Sequence, residues 1–359
     1  MNLSEILEQY SFDGENPTCE PYGEGHINST MILTFSGQEP EKFILQRIND
    51  RLFNVDDLMS NIMLVTEFIR EKTLKAGGNP EEECLTVVKS KDGKSFVRVS
   101  DGYYRIYRFI NGISYQVVEK AEDFKKCAQA FGAFANLLAE FDATQLVEVI
   151  PKFHDTEKRF RDFTDSLNKN ASGRAESVRR EIDFVLERQE YCNRITSLLA
   201  DKKIPVRVTH NDTKLNNVLF DEKTGRCIAV IDLDTVMPGS LCYDFGDAIR
   251  FGCNTSTEDD RDLSRVNFDV NLFRAFAEGY LSAIGGGITE TEKANLAFSS
   301  ILMTYECGMR FLSDHIDGDK YFRISRENQN LDRARTQFKL VSDMERLLPE
   351  MEKIINGIK

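Results

Sequence analysis

Up to about residue 110 the chain consists mainly of short apolar runs separated by turn residues, a pattern typical of β-strands. Two helical patterns interrupt these runs, at 3–10 and 55–74, where apolar residues recur every three to four positions. We therefore expect a sheet with one main helix in this part. The predicted strands lie near residue 19 and at 30–35, 42–48, 86–89, 95–99 and 103–109.

Helical periodicity dominates the rest of the chain. The change follows Phe-Ile-Asn-Gly at 109–112, which we interpret as a hinge between two lobes. The pattern predicts an α+β fold, with an N-lobe of residues 1–110 and a mainly helical C-lobe of residues 111–359. The predicted helices lie at 124–139, 159–200 with a break at 170–173, 273–284, 290–313 and 331–355.

One stretch, 208–234, departs from this helical pattern. It contains two apolar runs, at 217–220 and 227–231, and a Gly-containing turn at 222–225, which together predict a β-hairpin with a longer loop. A polar loop precedes the first strand, and Asp232 and Asp234 follow the second. This arrangement gathers oxygen-bearing side chains, which are the ligands that Mg²⁺ prefers.

The spacing of polar residues in this stretch matches the catalytic loop of kinases. His210, Asp212 and Asn217 form H-x-D-x(4)-N, and Ile-Asp at 231–232 stands where the metal-binding Asp of kinases follows. Phosphoryl transfer needs a carboxylate that orients and deprotonates the attacking hydroxyl, together with oxygen ligands for Mg²⁺. Asp212 suits the first role. A bare H-x-D-x(4)-N also occurs in acidic hairpins whose Asn and Asp residues serve turns, but the following strand and Ile-Asp favour a kinase.

The stretch 208–250 resembles the aminoglycoside phosphotransferase and choline kinase superfamily, and the whole chain is similar to the N-acetylhexosamine 1-kinases. The resemblance implies a bilobal protein-kinase-like fold whose N-lobe sheet is antiparallel. It also implies transfer of the γ-phosphate of ATP to the anomeric hydroxyl of GlcNAc or GalNAc. The segments that carry it are P-Y-G-E-G-H-I-N at 21–28, F-H-D-T at 153–156, T-H-N-D-T-K-L-N-N at 209–217, I-D-L-D-T-V-M-P-G-S at 231–240, D-F-G-D at 244–247 and E-C-G-M-R-F-L at 306–312.

The resemblance assigns Mg²⁺ to Asn217 and Asp232, with Asp234 as an additional ligand. In this superfamily the D-F-G-D segment supports the metal loop from behind. Asp244 could instead cap a helix that opens at Gly246.

ATP is expected to bind the N-lobe. A turn between two strands carries Gly23, Gly25 and His26, and such a turn can fold over the nucleotide phosphates because glycine lets the backbone approach closely. Kinases commonly place a phosphate-binding Lys on the third strand, whereas this chain has Gln46 there, so the source of that positive charge is open. Backbone groups of the hinge residues Phe109 and Ile110 are candidates for the adenine.

The acceptor is expected to meet Asp212 together with Arg250, Glu306 and Arg310. Glu306 and Arg310 are four positions apart and therefore share one helical face, where a surface ion pair is the plainer alternative. His154 is expected to be a structural or capping residue.

Two rival functions stay open at this point. The first is a kinase for choline, an aminoglycoside or a methylthioribose-like sugar; a cationic acceptor would call for an acidic, aromatic-lined pocket, and this chain has no Trp. The second is a catalytically silent nucleotide-binding protein, which the residue at position 46 keeps open and the intact Asp212 disfavours.

Composition narrows the partners further. A formal charge of −13 argues against nucleic acid or an anionic membrane, so the expected partners are ATP and a small-molecule sugar. Eight scattered Cys residues without a C-x-x-C pair are typical of reduced thiols in a cytoplasmic protein. Neither a signal peptide nor a membrane-spanning run is apparent, and the oligomeric state is open.

Overall fold

The computed structural model describes residues 1–14, 16–23, 28–37, 40–115, 118 and 120–358. Its residues group into two compact units, each built from separate parts of the chain. The first, here called the sheet unit, comprises Met1–Ser114, Glu140–Pro151 and Val218–Met237. The second, the helical unit, comprises Tyr115–Ala139, Lys152–Asn217 and Pro238–Lys359. The division predicted from the sequence was contiguous, whereas these units are interleaved along the chain.

The sheet unit is built on an antiparallel sheet whose strands are β1 Thr18–Pro21, β2 Ser29–Phe35, β3 Glu41–Ile48, β4 Val87–Val88, β5 Val97–Val99 and β6 Gly102–Arg108. Their order in the sheet is β1-β2-β3-β6-β4, with β5 also paired to β6. The register aligns Gln46 of β3 with Thr30 of β2 on one side and with Arg105 of β6 on the other. These three polar residues therefore form a row across the centre of the sheet.

A short helix, α1 (Leu3–Leu7), packs its apolar residues into the core formed with this sheet. The buried residues alternate along the strands, because successive side chains of a strand point to opposite faces. The core cluster consists of Ile6, Tyr10, Leu33, Phe35, Phe43, Leu45, Val97, Val99, Tyr104 and Ile106.

The main helix of the sheet unit is α2 (Val55–Lys75), close to the predicted 55–74, and a short α3 (Pro80–Glu83) follows it. The Asn54 side chain caps α2 by accepting from the backbone N–H groups of its first turn, where two Asp residues also suit the helix dipole. Asn61, fully buried on α2, donates to the carbonyl oxygens of Val147 and Val236 at 2.8 and 2.9 Å. That one amide binds α2 to both of the later segments of the sheet unit.

Four short strands come from the middle of the chain: β7 Arg207–Thr209, β8 Val218–Phe220, β9 Cys227–Val230 and β10 Met237–Gly239. β8 and β9 pair antiparallel, with Val218 opposite Val230, which confirms the predicted hairpin. The chain then turns at Asp232, whose backbone is left-handed (φ 60°, ψ 60°), into a single 3₁₀ turn at Leu233–Thr235.

The helical unit contains two long helices that are buried over much of their length. The close packing of the helical unit depends on Gly246 of α8 (Leu241–Gly252). A Cβ at this position would lie 2.4 Å from the carbonyl oxygen of Ser299 on α10 (Glu290–Asp317). The helices are α4 Ala121–Leu137, α5 Thr156–Lys169, α6 Arg179–Leu186, α7 Arg194–Ala200, α8 Leu241–Gly252, α9 Val270–Ile284, α10 Glu290–Asp317 and α11 Gln329–Gly357. The sheet-and-helix composition of the two units confirms the predicted α+β class.

The start of α8 differs from the prediction. The helix does not open at Gly246 but at Leu241, after Ser240, whose hydroxyl accepts from the N–H of Cys242 at 3.2 Å. Asp244 consequently lies inside the first turn and does not cap this helix. Its carboxylate is free to serve a neighbouring segment.

None of the eight cysteines forms a disulfide bond in the structure. Burial raises the pKa of Cys242 to about 12 and that of Cys192 to about 11. Such thiols stay protonated at neutral pH and are poor nucleophiles. Across the described ranges, no helix combines the length and the apolar character that crossing a bilayer requires.

Candidate active site

Asp212 lies in the helical unit at the centre of a local network built by its own loop. The amide Nδ2 of Asn217 donates to the carbonyl oxygen of Asp212 at 2.8 Å and to its Oδ2 at 3.1 Å. The ammonium of Lys214 lies 2.5 Å from Oδ1. The carboxylate is thus held from both sides, yet 23% of the side chain stays exposed, as a group that must reach a substrate requires.

The backbone of this loop is held by Asp244. Its two carboxylate oxygens accept from the N–H groups of His210 and Asn211 at 2.8 and 2.7 Å, and its carbonyl oxygen accepts from the Thr213 hydroxyl at 2.6 Å. Asn211 has a left-handed backbone (φ 61°), so the loop turns sharply just before Asp212. Asp244 therefore fixes the direction in which Asp212 leaves the turn.

Burial raises the pKa of Asp244 to about 6, against a model-peptide value of about 3.9. As the pH falls through 6, protonation should remove one of the two acceptors that hold the loop, and we expect turnover to fall. Stability should move the other way, because the folded state binds this proton more tightly than the unfolded state. The contribution of Asp244 to the free energy of unfolding should therefore rise between pH 6 and pH 4.

Asp244→Asn is the matched variant for this prediction, since it keeps one acceptor and cannot titrate. A pH–rate profile and urea unfolding from pH 4 to 8 measure both effects. Above pH 6, the turnover of Asp244→Asn should be slower than that of the wild type. The fall in turnover near pH 6 should be absent in the variant. An unchanged fall in the variant would assign it to another group.

Further charged groups of the helical unit lie close to the loop that carries Asp212. Arg250 donates from Nε to Asp247 at 2.8 Å and from a terminal nitrogen to Glu258 at 3.0 Å. Although burial opposes it, the positive charges of Arg250 and Lys214 hold the pKa of Asp247 below its ordinary value. Burial likewise opposes protonation of Lys214, yet Asp212 raises its pKa. These groups are therefore charged at neutral pH and lie within electrostatic reach of one another.

In the sheet unit, Arg105 donates hydrogen bonds to the side chain of Gln46. Both Nε and Nη2 of Arg105 donate to Oε1 of Gln46, at 3.0 and 2.8 Å, while Nε2 of Gln46 donates to Thr30. Nη2 also donates to Asp234 at 2.6 Å, and 1% of the Arg105 side chain is exposed. The neutral amide at position 46 thus anchors a buried cation from the neighbouring strand.

Two of the predicted metal ligands, Asn217 and Asp234, differ in how many of their oxygens already accept hydrogen bonds. Asn217 donates through Nδ2, which leaves Oδ1 as the oxygen that can face a cation. Both oxygens of Asp234 are engaged, one by Arg105 and the other by Asn28 at 2.7 Å. Amide and carboxylate oxygens are donors that suit Mg²⁺. Within the described ranges, no three His, Cys, Asp or Glu side chains cluster closely enough to form a metal site.

The predicted nucleotide-binding residues are described in part. Gly23 has a left-handed backbone (φ 73°), which glycine adopts readily, whereas Gly25 and His26 lie outside the described residues. Phe109 donates its N–H to the carbonyl of Lys42 at 3.2 Å, and Ile110 is 6% exposed. Their contact with adenine stays a prediction.

The two predicted acceptor residues on α10 have distinct surroundings. Glu306 is 1% exposed and accepts from Thr156 at 2.5 Å, while its second oxygen lies 2.8 Å from Nδ1 of His154. The Arg310 guanidinium lies 5.4 to 6.0 Å from three ring centroids. These rings belong to Phe153, Tyr321 and Phe322. The two residues make these contacts and do not form the simple surface ion pair that the spacing allowed.

Sequence reasoning missed three residues that the structure places in these networks. Lys214 follows Asp212 by two positions, so the loop itself carried the signal. Arg105 interrupts an apolar strand, which is a detectable anomaly. Asp247 precedes its partner Arg250 by three positions, so helical spacing carried the signal. His154 was expected to be structural, because its partner Glu306 lies far away in the sequence.

Comparison with known proteins gives a family and a fold. The profile of the phosphotransferase enzyme family (APH) matches residues 18–287. An aminoglycoside phosphotransferase from Alicyclobacillus acidocaldarius is 13% identical, with 99% of this chain and 96% of that chain covered and a TM-score of 0.65. The amicoumacin kinase hAmiN, solved with AMP-PNP, Ca²⁺ and Ami, is 13% identical, with 98% and 92% covered and a TM-score of 0.59. Choline kinase from Cryptosporidium parvum Iowa II is 12% identical, with 99% and 95% covered and a TM-score of 0.57. These likenesses confirm the predicted protein-kinase-like fold.

Proposed function

Because the chain belongs to the phosphotransferase enzyme family, we propose that it is a kinase for N-acetylhexosamines. It transfers the γ-phosphoryl group of ATP to the anomeric hydroxyl of GlcNAc or GalNAc and releases the sugar 1-phosphate and ADP. The observation that carries the proposal is the hydrogen-bonded placement of Asp212 between Asn217 and Lys214. The acceptor class rests on the resemblance of segments that run through the whole sequence, including E-C-G-M-R-F-L at 306–312.

Asp212 takes the proton of the acceptor hydroxyl as the new P–O bond forms. An anomeric hydroxyl is more acidic than a primary one, so a carboxylate is an adequate base for it. Asn217 contacts one carboxylate oxygen and Lys214 the other, but a carboxylate has about four lone-pair sites, so its exposed edge can still accept from the hydroxyl. The ammonium of Lys214 lies where it can offset negative charge on the transferring group. Positioning and electrostatics of this kind account for most of the rate enhancement in phosphoryl transfer.

Asn217 and Asp232 would hold Mg²⁺, and Asp234 would add a weaker contribution because both of its oxygens already accept hydrogen bonds. An ion held by these residues would supply positive charge to the nucleotide phosphates. Asp232 keeps a left-handed backbone, which directs its side chain differently from that of a residue in an extended strand end. Asp234 and Arg105 support this turn from within the sheet unit.

The sheet unit would hold the nucleotide. Gly23, Gly25 and His26 belong to the turn proposed to cover the phosphates, and Phe109 and Ile110 to the segment proposed for adenine. Gln46 contributes through Arg105, whose guanidinium it orients with two hydrogen bonds. Arg105 thereby supplies positive charge beside the strand position that carries Lys in many kinases.

The Arg310 guanidinium favours an uncharged acceptor over a cationic one. Lys214 and Arg250 are paired with carboxylates, whereas the guanidinium of Arg310 contacts aromatic rings, and a quaternary ammonium or aminoglycoside bound beside it would meet its positive charge. A neutral sugar instead offers hydroxyl and acetamido groups that guanidinium groups can recognise by hydrogen bonds.

The position of the phosphate on the product tests the proposal. Incubation with ATP and Mg²⁺ should convert GlcNAc and GalNAc, with glucose much poorer, and phosphorus-coupled NMR should show coupling to H1. A site that binds the acetamido group leaves its own polar groups unpaired when that group is missing, which is why glucose should be rejected. Omission of Mg²⁺ should abolish the product.

The same assay separates the rival functions. Phosphate on C6, or turnover only with amines such as choline, would place the chain elsewhere in its family. ATP binding without turnover of any acceptor would identify a silent nucleotide-binding protein.

A further inference from the structure

We propose that His154 is an acceptor-binding residue, whose Nε2 accepts a hydrogen bond from a hydroxyl group of the bound acceptor. The inference rests on the proposed function, since it assigns a new contact to the acceptor site of that kinase. The contact lies wholly within the helical unit. It reassigns a residue that the sequence alone suggested to be structural.

The first observation is an unpaired nitrogen in a buried ring. His154 is 9% exposed, and its Nδ1 lies 2.8 Å from Glu306. Its Nε2 is also buried but has no hydrogen-bond partner among the described residues. A buried polar atom without a partner is uncommon and points to a ligand or a bound water that completes it.

The second observation is that the ring is fixed in position and in tautomer. Glu306 accepts from Thr156 as well, so its carboxylate cannot turn away from the imidazole without losing a bond. The ring centroids of Phe153 and Tyr243 lie 4.4 and 5.2 Å from the ring centroid of His154. Because Nδ1 donates its hydrogen to the carboxylate, the neutral imidazole presents a lone pair at Nε2. A hydroxyl hydrogen is the complementary partner.

The third observation places His154 beside the catalytic network. The positive charges of Arg250 and Lys214 act on the buried carboxylate of Asp247, and the imidazole of His154 lies within electrostatic reach of the same carboxylate. Lys214 in turn lies 2.5 Å from Asp212. Phe153, which contacts the His154 ring, also lies under the guanidinium of Arg310. A chain of neighbouring groups thus links His154 both to the proposed base and to the proposed acceptor residue on α10.

Together these observations give Glu306 an indirect role. Its carboxylate is fully occupied by His154 and Thr156, so it orients the imidazole and acts on the acceptor through that ring. Glu306 is a positioning residue in this account, and His154 makes the contact.

Two substitutions separate the contact from the structural role of the ring. His154→Asn places an amide near Nδ1, where it can still donate to Glu306, but has no atom at the position of Nε2. His154→Gln places its amide near Nε2. Thr156→Val is the control, because it removes the other hydrogen bond to Glu306 and leaves the imidazole intact.

The readout is kcat/KM for GlcNAc and for its 3-, 4- and 6-deoxy derivatives. The wild type should disfavour one derivative by about 10- to 100-fold, the cost of leaving one buried polar atom unpaired. His154→Asn should lose a similar factor with GlcNAc, mainly through KM, and should no longer distinguish that derivative. His154→Gln should recover part of the preference, and Thr156→Val should keep it.

The proposal would be overturned if the wild type and both His154 variants showed the same relative kcat/KM values across GlcNAc and all of its deoxy derivatives. If His154→Asn does not fold, the comparison of His154→Gln with the wild type decides the matter by the same criterion. A wild type that phosphorylates no acetamido sugar would refute the proposed function. Deoxy derivatives of whichever hydroxylated acceptor it does use then decide the role of His154 separately.

Discussion

Replacement of Asp212 by Asn should lower kcat by roughly 10²–10⁴ while the protein stays folded and binds ATP. Asn keeps the shape of the side chain and an oxygen that can accept from Asn217, but it cannot take a proton from the acceptor. Lys214 loses its anionic partner, but 32% of the Lys214 side chain is exposed, so water can solvate the ammonium and the fold should persist. Initial rates at saturating ATP and sugar give the loss, and thermal unfolding checks the fold.

Asp201→Asn is the matched control. Asp201 also pairs with a Lys two positions later, Lys203, at 2.9 Å, but this pair is exposed and lies at the end of a helix. Breaking it should leave turnover within twofold or so, since exposed ion pairs contribute about 0–1 kcal/mol. Wild-type turnover in a folded Asp212→Asn protein would refute the role of Asp212 as the base.

Replacement of Arg105 by Met should destabilise the protein by about 3–5 kcal/mol, because it leaves a buried carboxylate without its partner. The loss falls on two groups at once: Asp234 loses a 2.6 Å hydrogen bond, and Oε1 of Gln46 loses two. Although burial works against it, Asp234 raises the pKa of Arg105, so the guanidinium stays protonated in the folded protein. Urea unfolding followed by far-UV circular dichroism measures the change.

Arg108 lies on the same strand and provides the control. Its guanidinium approaches Glu41 and Glu81 at 3.6 and 3.3 Å, but about half of the side chain is exposed. Arg108→Met should therefore cost no more than about 1 kcal/mol. Equal costs for the two substitutions would contradict a buried, charge-dependent role for Arg105. The double variant Arg105→Met with Asp234→Leu should be less destabilised than the sum of the single changes.

The catalytic loop is the part of the site that sequence reasoning reaches most fully. Asp212 and Asn217 are five positions apart, and the turn between them brings the amide onto the carboxylate. Local spacing is enough for such a prediction, since few backbone conformations connect two residues so close in the sequence. Strand and helix positions in the α+β fold were predictable for the same reason.

Contacts between residues that lie far apart in the sequence could not be predicted from the sequence alone. Arg105 and Asp234 are 129 positions apart, and His154 and Glu306 are 152 apart. No periodicity links such residues, so the cation beside Gln46 and the orientation of His154 emerge only in three dimensions. The start of α8 is a different case, because Ser240 is a recognisable N-cap signal that was overlooked in favour of the later glycine.

The interleaved construction of the sheet unit also sets the order in which it can be completed during synthesis. Its first 114 residues include Arg105 and Asn61, but their partners Asp234 and Val236 are translated more than a hundred residues later. At about 5–20 residues per second, the 123 residues between Ser114 and Met237 take roughly 6 to 25 s. Throughout that interval a nascent sheet would hold a cation without its anionic partner, so the sheet unit stays incomplete on the ribosome until Asp234 has been made.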